Sequence, residues 1–95
     1  MAEDTDTEVV LRVSASSPVQ ALAASISKSI LDSHSFPVLR AIGHGAVGQA
    51  VKSLAIARGY VASRGMDLAV VPGFESVESN DGKEITAIVL KTFAR

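Results

Sequence analysis

The chain has 95 residues, enough for one hydrophobic core, because two cores of half this size would need disulfides or metals to be stable. Hydrophobic residues make up 47% and charged residues 20%, which excludes disordered, collagen-like and coiled-coil compositions. No cysteine is present, so disulfides and thiolate metal sites are excluded. Aromatic residues make up 4%, too few for a surface on which successive bases stack.

The formal net charge is −1, and the charges are unevenly distributed. Four of the ten acids fall in the first eight residues, which leaves nine bases against six acids from Val9 onward. We therefore predict an acidic flexible tail over residues 1–8 and a mildly basic domain over residues 9–95. The start lacks the basic flank and apolar run of a secretory signal, and no apolar stretch is long enough to span a bilayer. These features predict an intracellular, cytoplasmic protein without a membrane partner.

Val9, Leu11 and Val13 alternate with Val10, Arg12 and Ser14, the period-two pattern of a half-buried strand. Ser17 and Pro18 follow, with Gln20 three residues after the serine. This order predicts a helix that begins at Pro18 with Ser17 as its cap. Apolar residues then recur at spacings of three and four up to Leu31, which predicts one buried helix face. A polar loop is predicted at residues 33–35.

A second strand is predicted over residues 36–42, a sharp turn at residues 43–45, and a second helix over residues 46–62. Its predicted apolar arc leaves Ile56 exposed, which suggests a surface for a partner. The arc comprises Val47, Ala50, Val51, Leu54, Ala57 and Val61.

A third strand is predicted over residues 68–71, bent at Pro72-Gly73 and extended again over residues 74–78. Residues 80–82, Asn-Asp-Gly, predict a hairpin turn. The fourth strand, residues 85–93, has an apolar centre and is predicted to lie inside the sheet. The order β-α-β-α-β-β predicts an α/β two-layer sandwich with both helices on one face. The other face stays uncovered, and a homodimer or a ligand could cover it.

Residues 43–48 form a literal G-x-G-x-x-G between a predicted strand and a predicted helix, with Asp67 about twenty residues further on. This spacing resembles a dinucleotide-binding fingerprint. Asp67, however, precedes the third strand and is predicted at the opposite end of the sheet from the glycines. We therefore expect the glycines to allow a tight turn and close packing. The free N–H groups of the helix start could also bind a phosphate.

Little else in the chain indicates chemistry. The two histidines, His34 and His44, are separated by a strand and have no acids at metal-ligand spacing, so no metal is predicted. No G-x-S-x-G motif is present, and we predict neither catalysis nor a cofactor. His44 could donate to a phosphate from the glycine turn.

The basic residues are scattered in sequence. Arg12 and Arg40 fall on adjacent predicted strands, and Lys52 and Arg58 fall on the second helix. If these four side chains converge in space, they could bind a nucleic-acid backbone without strong sequence preference. The predicted hairpin tip is acidic and would be repelled by phosphates.

Three stretches carry a resemblance to a known family: residues 12–18, residues 41–62, and Asp67-Leu68 together with Pro72-Gly73-Phe74. They resemble the stage V sporulation protein S family, whose fold is Alba-like. The resemblance implies a mixed four-stranded sheet in the order 1-2-4-3, with the last strand antiparallel. It also implies small dimeric or oligomeric proteins that are presumed to bind nucleic acid, regulate gene expression and have no enzymatic activity.

Carried over to this chain, the resemblance implies a binding surface made of the first loop, the turn after the second strand and the second helix. With the basic and histidine candidates added, the predicted nucleic-acid-binding residues are Arg12, Ser14, Ser16, Ser17, Arg40, Gly43, His44, Gly45, Lys52 and Arg58. The leading hypothesis is thus a non-catalytic, homodimeric Alba-like protein that binds DNA or RNA phosphates. The alternative is an assembly module of a larger protein complex, favoured by the acidic tail and hairpin. A nucleotide-binding enzyme is a third hypothesis, based on the glycine motif alone.

Overall fold

A computed structural model describes residues 8–95; apart from Glu8, the predicted acidic tail lies outside these residues. The chain forms four strands and two helices in the predicted order. They are β1 (Val10–Val13), α1 (Val19–Ser33), β2 (Val38–Ala41), α2 (His44–Ala62), β3 (Leu68–Glu78) and β4 (Glu84–Ala94). Neither helix in this part of the chain is apolar and long enough to cross a membrane.

The four strands form one mixed sheet in the order β1-β2-β4-β3. β1 is parallel to β2, whereas β4 pairs antiparallel with both of its neighbours. The core lies between this sheet and the helices, where Leu39 and Leu90 pack with Ile26, Ile30 and Val61. The predicted two-layer fold, its strand order and the interior position of β4 are therefore confirmed.

β3 is one continuous strand, although a bend was predicted at Pro72-Gly73. Pro72 stays in the ladder opposite Leu90, and the pairing with β4 runs from Leu68 to Glu78 without interruption. β3 is an edge strand, because it pairs only with β4. The missing N–H of Pro72 is tolerated at an edge, so the proline does not divide the strand.

The predicted cap of α1 is wrong. Pro18 is the residue before the helix, and no side chain caps the first turn. The Ser17 hydroxyl accepts instead from the Ser14 N–H at 2.9 Å, so it is occupied within the preceding loop. The helix ends as predicted at the polar loop: His34 has a left-handed φ of 53°, and its N–H donates to the Ile30 carbonyl.

α2 begins at His44, two residues earlier than predicted, after Gly43 with a φ of 88°. Its buried face is also rotated from the predicted arc. Val51 is exposed, whereas Ser53 is buried and donates to the Ala50 carbonyl at 2.8 Å. Ile56 is half-buried rather than exposed. The reason is that α2 packs on α1 as well as on the sheet. Its buried face is therefore set by both neighbours and includes small side chains such as Ala50 and Ser53.

Candidate binding surfaces

The C-terminal ends of β1 and β2 lie side by side because the two strands are parallel. We call residues 14–17 the serine loop and residues 43–45 the glycine corner. A Cβ added to Gly45 would lie 3.0 Å from the Ala15 Cβ, so the two segments are in close contact. Gln49 of α2 reinforces this contact by donating from Nε2 to the Ser17 carbonyl at 2.8 Å.

The three hydroxyls of the serine loop bond to one another. Ser14 Oγ lies 3.1 Å from Ser16 Oγ and 3.3 Å from Ser17 Oγ, and the Ser16 N–H donates to Ser14 Oγ at 3.3 Å. Ser14 and Ser16 are exposed. Hydroxyls can act as donors or acceptors, so this cluster could turn its protons towards an anion.

Both helices begin at this edge of the molecule. Neither α1 nor α2 has an acidic residue in its first turn, and neither has a side-chain cap. The first N–H groups of a helix have no acceptor within it and carry a partial positive charge. The glycine corner is exposed, including His44. The predicted loop, turn and helix start are therefore brought together in space.

The strand arginines lie on the sheet face that points away from the helices, which we call the open face. Arg12 and Arg40 are direct Cα partners in the β1–β2 ladder. Arg40 Nε bonds to Glu75 Oε1 at 2.7 Å, across the intervening strand β4. Ala87, the β4 partner of Glu75, is fully buried, because its small side chain lies beneath this ion pair. Arg40 is therefore neutralised within the chain.

The helix bases lie elsewhere. Lys52 is exposed on α2, and Arg58 lies roughly 21 Å along the helix axis from His44, at a rise of about 1.5 Å per residue. Arg58 Nε bonds to Asp67 Oδ1 at 2.9 Å, and Arg95 Nη2 bonds to Asp67 Oδ2 at 2.8 Å. These bonds lower the pKa of Asp67, Arg95 contributing most. The four predicted bases therefore do not form one patch.

The position of Asp67 also bears on the dinucleotide fingerprint. β3 begins opposite Ala94, whereas β2 ends opposite Ile88. Six residues along β4 correspond to roughly 20 Å. The prediction that Asp67 lies far from the glycine corner is confirmed, because the two occupy opposite ends of the sheet.

The hairpin between β3 and β4 extends from the same end of the sheet as the glycine corner. The predicted turn is present, with Gly82 at a φ of 84°. Hydrogen bonds from the Ser79 hydroxyl and the Lys83 N–H lower the pKa of Asp81. Glu78 borders one shallow groove together with Arg12 and Arg40. Negative charge thus lies beside the two strand arginines.

The sequence analysis predicted an uncovered face of the sheet but did not identify the apolar residues that lie on it. Its exposed apolar side chains, followed by their exposed fractions, are Val10 (39%), Ile42 (46%), Val71 (52%) and Phe93 (41%). Phe74, 80% exposed, borders a groove that also contains Val10, Val38 and Val89. The sequence could have indicated this, because the centre of β4, Ile88-Val89-Leu90, is apolar on both sides.

The histidines form no metal site in the described part of the chain. His34 and His44 are both exposed, and residues 8–95 contain no group of three or more His, Asp or Glu side chains that could hold an ion.

The family resemblance rests on the end of β1 with the serine loop, on the glycine corner with α2, and on residues at the start of β3, and the structure shows the strand order that it implied. A family model described as "Stage V sporulation protein S (SpoVS)" matches residues 9–95, which is nearly the whole chain. The chain therefore belongs to the stage V sporulation protein S family, whose name links it to sporulation.

Proposed function

We propose that this protein is a non-catalytic assembly module that binds a protein partner through the open face of its sheet. One observation carries the proposal: the helices cover one face of the sheet, while exposed apolar side chains concentrate on the other. Within residues 8–95, seven large hydrophobic side chains are exposed. Four of them, Val10, Ile42, Val71 and Phe93, lie on the open face, whereas Phe74, opposite Ile88 of β4, has the register of the helix side. Apolar patches of this kind are typical of protein interfaces.

The charges favour this function over nucleic-acid binding by the whole predicted surface. Arg40 and Arg58 are each bonded to a carboxylate, and the acidic hairpin projects from the end that holds the glycine corner. A phosphate backbone needs several unpaired cations along one track. A protein interface, in contrast, can bury charged side chains that are already paired with one another.

Two valines of almost equal exposure provide the test: Val71 on the open face (52%) and Val51 on α2 (53%). The tagged protein, its Val71→Lys variant and its Val51→Lys variant are each used for affinity purification from cells, with and without nuclease. We expect specific partners, which include further copies of this chain, to survive nuclease and to be lost only with Val71→Lys. Loss of every partner after nuclease treatment, or equal effects of the two variants, would contradict the proposal.

A second candidate function is binding of nucleic-acid phosphates at the serine loop and glycine corner, in a regulatory role. The observation that favours it is the convergence of two uncapped helix starts with exposed serine hydroxyls. About three contacted phosphates would make the affinity fall on the order of 40-fold between 50 and 200 mM salt.

Gly45 and Gly48 give a matched pair of variants for this second candidate. A side chain at Gly45 displaces Ala15, whereas nothing lies within 4 Å of a Cβ at Gly48. Labelled duplex and single-stranded oligonucleotides are titrated over a salt series. Weaker binding by Gly45→Val than by Gly48→Val would support phosphate binding at this corner. Absence of binding by the unmodified protein at low salt would contradict this second candidate function.

A further inference from the structure

We propose that the acidic tail of this chain, residues 1–8, binds across the basic part of the open face and competes there with the protein partner. Glu3, Asp4, Asp6 and Glu8 supply its negative charge. Three features support the contact: the charges of the face, the place where the tail joins the sheet, and the spacing of the tail acids. The competition rests in addition on the proposed assembly function.

The open face carries more positive than negative charge. The strand register places Arg12, Arg40 and Lys91 on this side of the sheet, against one carboxylate, Glu75, which already accepts from Arg40. Glu78 borders a groove near Arg12, at the end of the sheet away from the tail. Within residues 8–95, neither Arg12 nor Lys91 takes part in an ion pair. Both cations are therefore available to a carboxylate from outside these residues.

Lys91 lies in an apolar row of the sheet. It is exposed, and its neighbours in the row are Val10, Val38 and Val71. A lysine on an edge strand can keep other chains from pairing with that edge, but β4 is an interior strand with both edges paired. Edge protection therefore does not explain this lysine, whereas a carboxylate in whatever covers the face would pair with it.

The tail joins the sheet beside this lysine. Glu8, the first residue that the structure describes, borders the groove that also contains Val38, Val89 and Lys91. Lys91 lies two strands from β1, a lateral distance of about 10 Å. Asp6 precedes Glu8 by two residues, which span roughly 7 Å when extended. The long side chain of Lys91 covers the remaining distance, so a carboxylate at position 6 is within its reach.

The spacing of the tail acids matches the spacing of the cations. Asp4 and Asp6 are alternate residues, and alternate side chains of an extended segment lie on one side of it. On the sheet, the row of Arg12 and Arg40 follows the row of Lys91 at the same spacing of two residues. An extended tail that crosses the face would thus bring Asp6 to Lys91 and Asp4 to the arginines. Seven residues span at most about 25 Å, enough to reach both rows.

Covalent attachment makes such weak contacts effective. Each exposed ion pair contributes little by itself, so a separate acidic peptide of this length would bind poorly. A segment joined to β1 has an effective concentration on the order of millimolar at the face, so a contact with a Kd of about 1 mM would cover the face about half of the time. A partner would then bind about twofold more weakly than it binds the uncovered face. Rising salt should release the tail, because the screening length falls to about 3 Å at 1 M.

Zero-length crosslinking with a carbodiimide tests the contact, because the reagent joins a carboxylate to a lysine amine only where the two touch. An equal mixture of isotopically labelled and unlabelled full-length chains is crosslinked and digested. We expect Asp4 or Asp6 to be joined to Lys91 but not to Lys52, which is exposed on α2. The product should combine peptides of one isotope only and should disappear at about 1 M salt. Absence of the Lys91 product, equal reaction of Lys52, or pairs of mixed isotope would overturn binding within one chain.

Neutralising the tail tests the competition. The double variant Asp4→Asn with Asp6→Asn is compared with a control that removes two exposed acids elsewhere, Asp32→Asn with Glu84→Gln. The readout is the yield of those partners that Val71→Lys loses. We expect this yield to rise about twofold in the tail variant alone. An unchanged yield, or an equal rise in both variants, would overturn the competition. Crosslinking needs no partner, so the tail contact can be confirmed even if the assembly function fails, and the assembly function can be confirmed even if no crosslink forms.

Discussion

The two faces of the sheet differ in how completely the chain itself covers them. On the helix side, Leu39 and Leu90 are buried against α1 and α2. On the open face, Val10 of β1 and Val71 of β3 remain accessible. A strand that is apolar on both sides is usually buried on both sides of its sheet. In the single chain, the helices cover only one of them. The open face therefore carries apolar surface that the single chain leaves uncovered.

Aliphatic side chains pack against the helix side of the sheet, whereas the open face carries an ion pair. Arg40 and Glu75 bridge three strands on the open face, and their remaining exposure leaves them accessible to solvent. Burial stabilises the helix side, since apolar area removed from water contributes roughly 25 cal/mol per Å². The ion pair contributes less, because solvent screens it. Substitutions on the helix side should therefore lower the unfolding free energy more than substitutions on the open face.

The largest effect should follow Leu39→Ala on the helix side. Leu39 is fully buried, so its truncation removes packing and leaves a cavity, at a cost of about 2–5 kcal/mol of unfolding free energy. Val10→Ala, on the open face of the neighbouring strand, should cost much less, because Val10 is already partly exposed. Denaturant unfolding at low protein concentration measures both. Equal losses would show that the two faces are covered alike.

A smaller effect is expected for the buried hydroxyl of Thr92. Its Oγ1 donates to the Pro37 carbonyl at 2.7 Å, so Thr92→Val leaves a buried acceptor without its partner, at a cost of about 1–3 kcal/mol. Thr86→Val is the control, because Thr86 is exposed on the same strand. Thermal unfolding of both variants gives the comparison. A neutral Thr92→Val would mean that the carbonyl finds another donor.

Removing the ion pair of the open face should have a still smaller effect on the stability of the single chain. Arg40→Met keeps an apolar stem over Ala87 and loses the charge, for a loss of about 1 kcal/mol or less. Rising salt should reduce the difference from the unmodified protein. Lys52→Met, which removes one exposed charge from α2, is the control. A larger loss that appears only at high protein concentration would place this pair inside an interface.

The smallest effect should come from Asp67, which lies away from both faces. Its pKa is held below the ordinary value of 3.8 by Arg95 and Arg58. A lowered pKa in the folded state means that the stabilisation is complete above the unfolded pKa and disappears as the pH falls through the lower, folded value.

The melting temperatures of the unmodified protein and of Asp67→Asn should therefore differ by a constant amount near neutral pH and converge below about pH 4. Asp32→Asn on α1 controls for the loss of one negative charge. A difference that grows on acidification would contradict the assigned direction.

Local patterns in the sequence predicted the elements well where neighbouring residues control the structure. The alternation in β1, the hairpin turn with Gly82 and the end of α1 at His34 depend on residues close in the chain, and all are present. The predicted side-chain cap of α1 was wrong because a neighbouring residue competes for the same hydroxyl. The Ser17 hydroxyl had a competing acceptor role in its own loop, and a cap motif cannot reveal which role prevails.

The candidate surface was less predictable because its members are distant in the chain. The contact between Ala15 and Gly45 follows from the parallel pairing of β1 and β2, which the predicted fold implied. The bonds from Arg40 to Glu75 and from Arg58 to Asp67 could not be predicted from spacing, because they join residues 35 and 9 positions apart through the tertiary structure.

The sequence by itself determined one hydrophobic core, the element order and the family, since composition, periodicity and motif residues are properties of the chain. Tertiary structure alone decided which bases are neutralised, which face of α2 is buried and which apolar residues remain accessible. The physical reason is that burial and ion pairing depend on neighbours brought together by folding. Sequence periodicity identifies the two sides of a strand, but only the packed structure shows which side the helices cover.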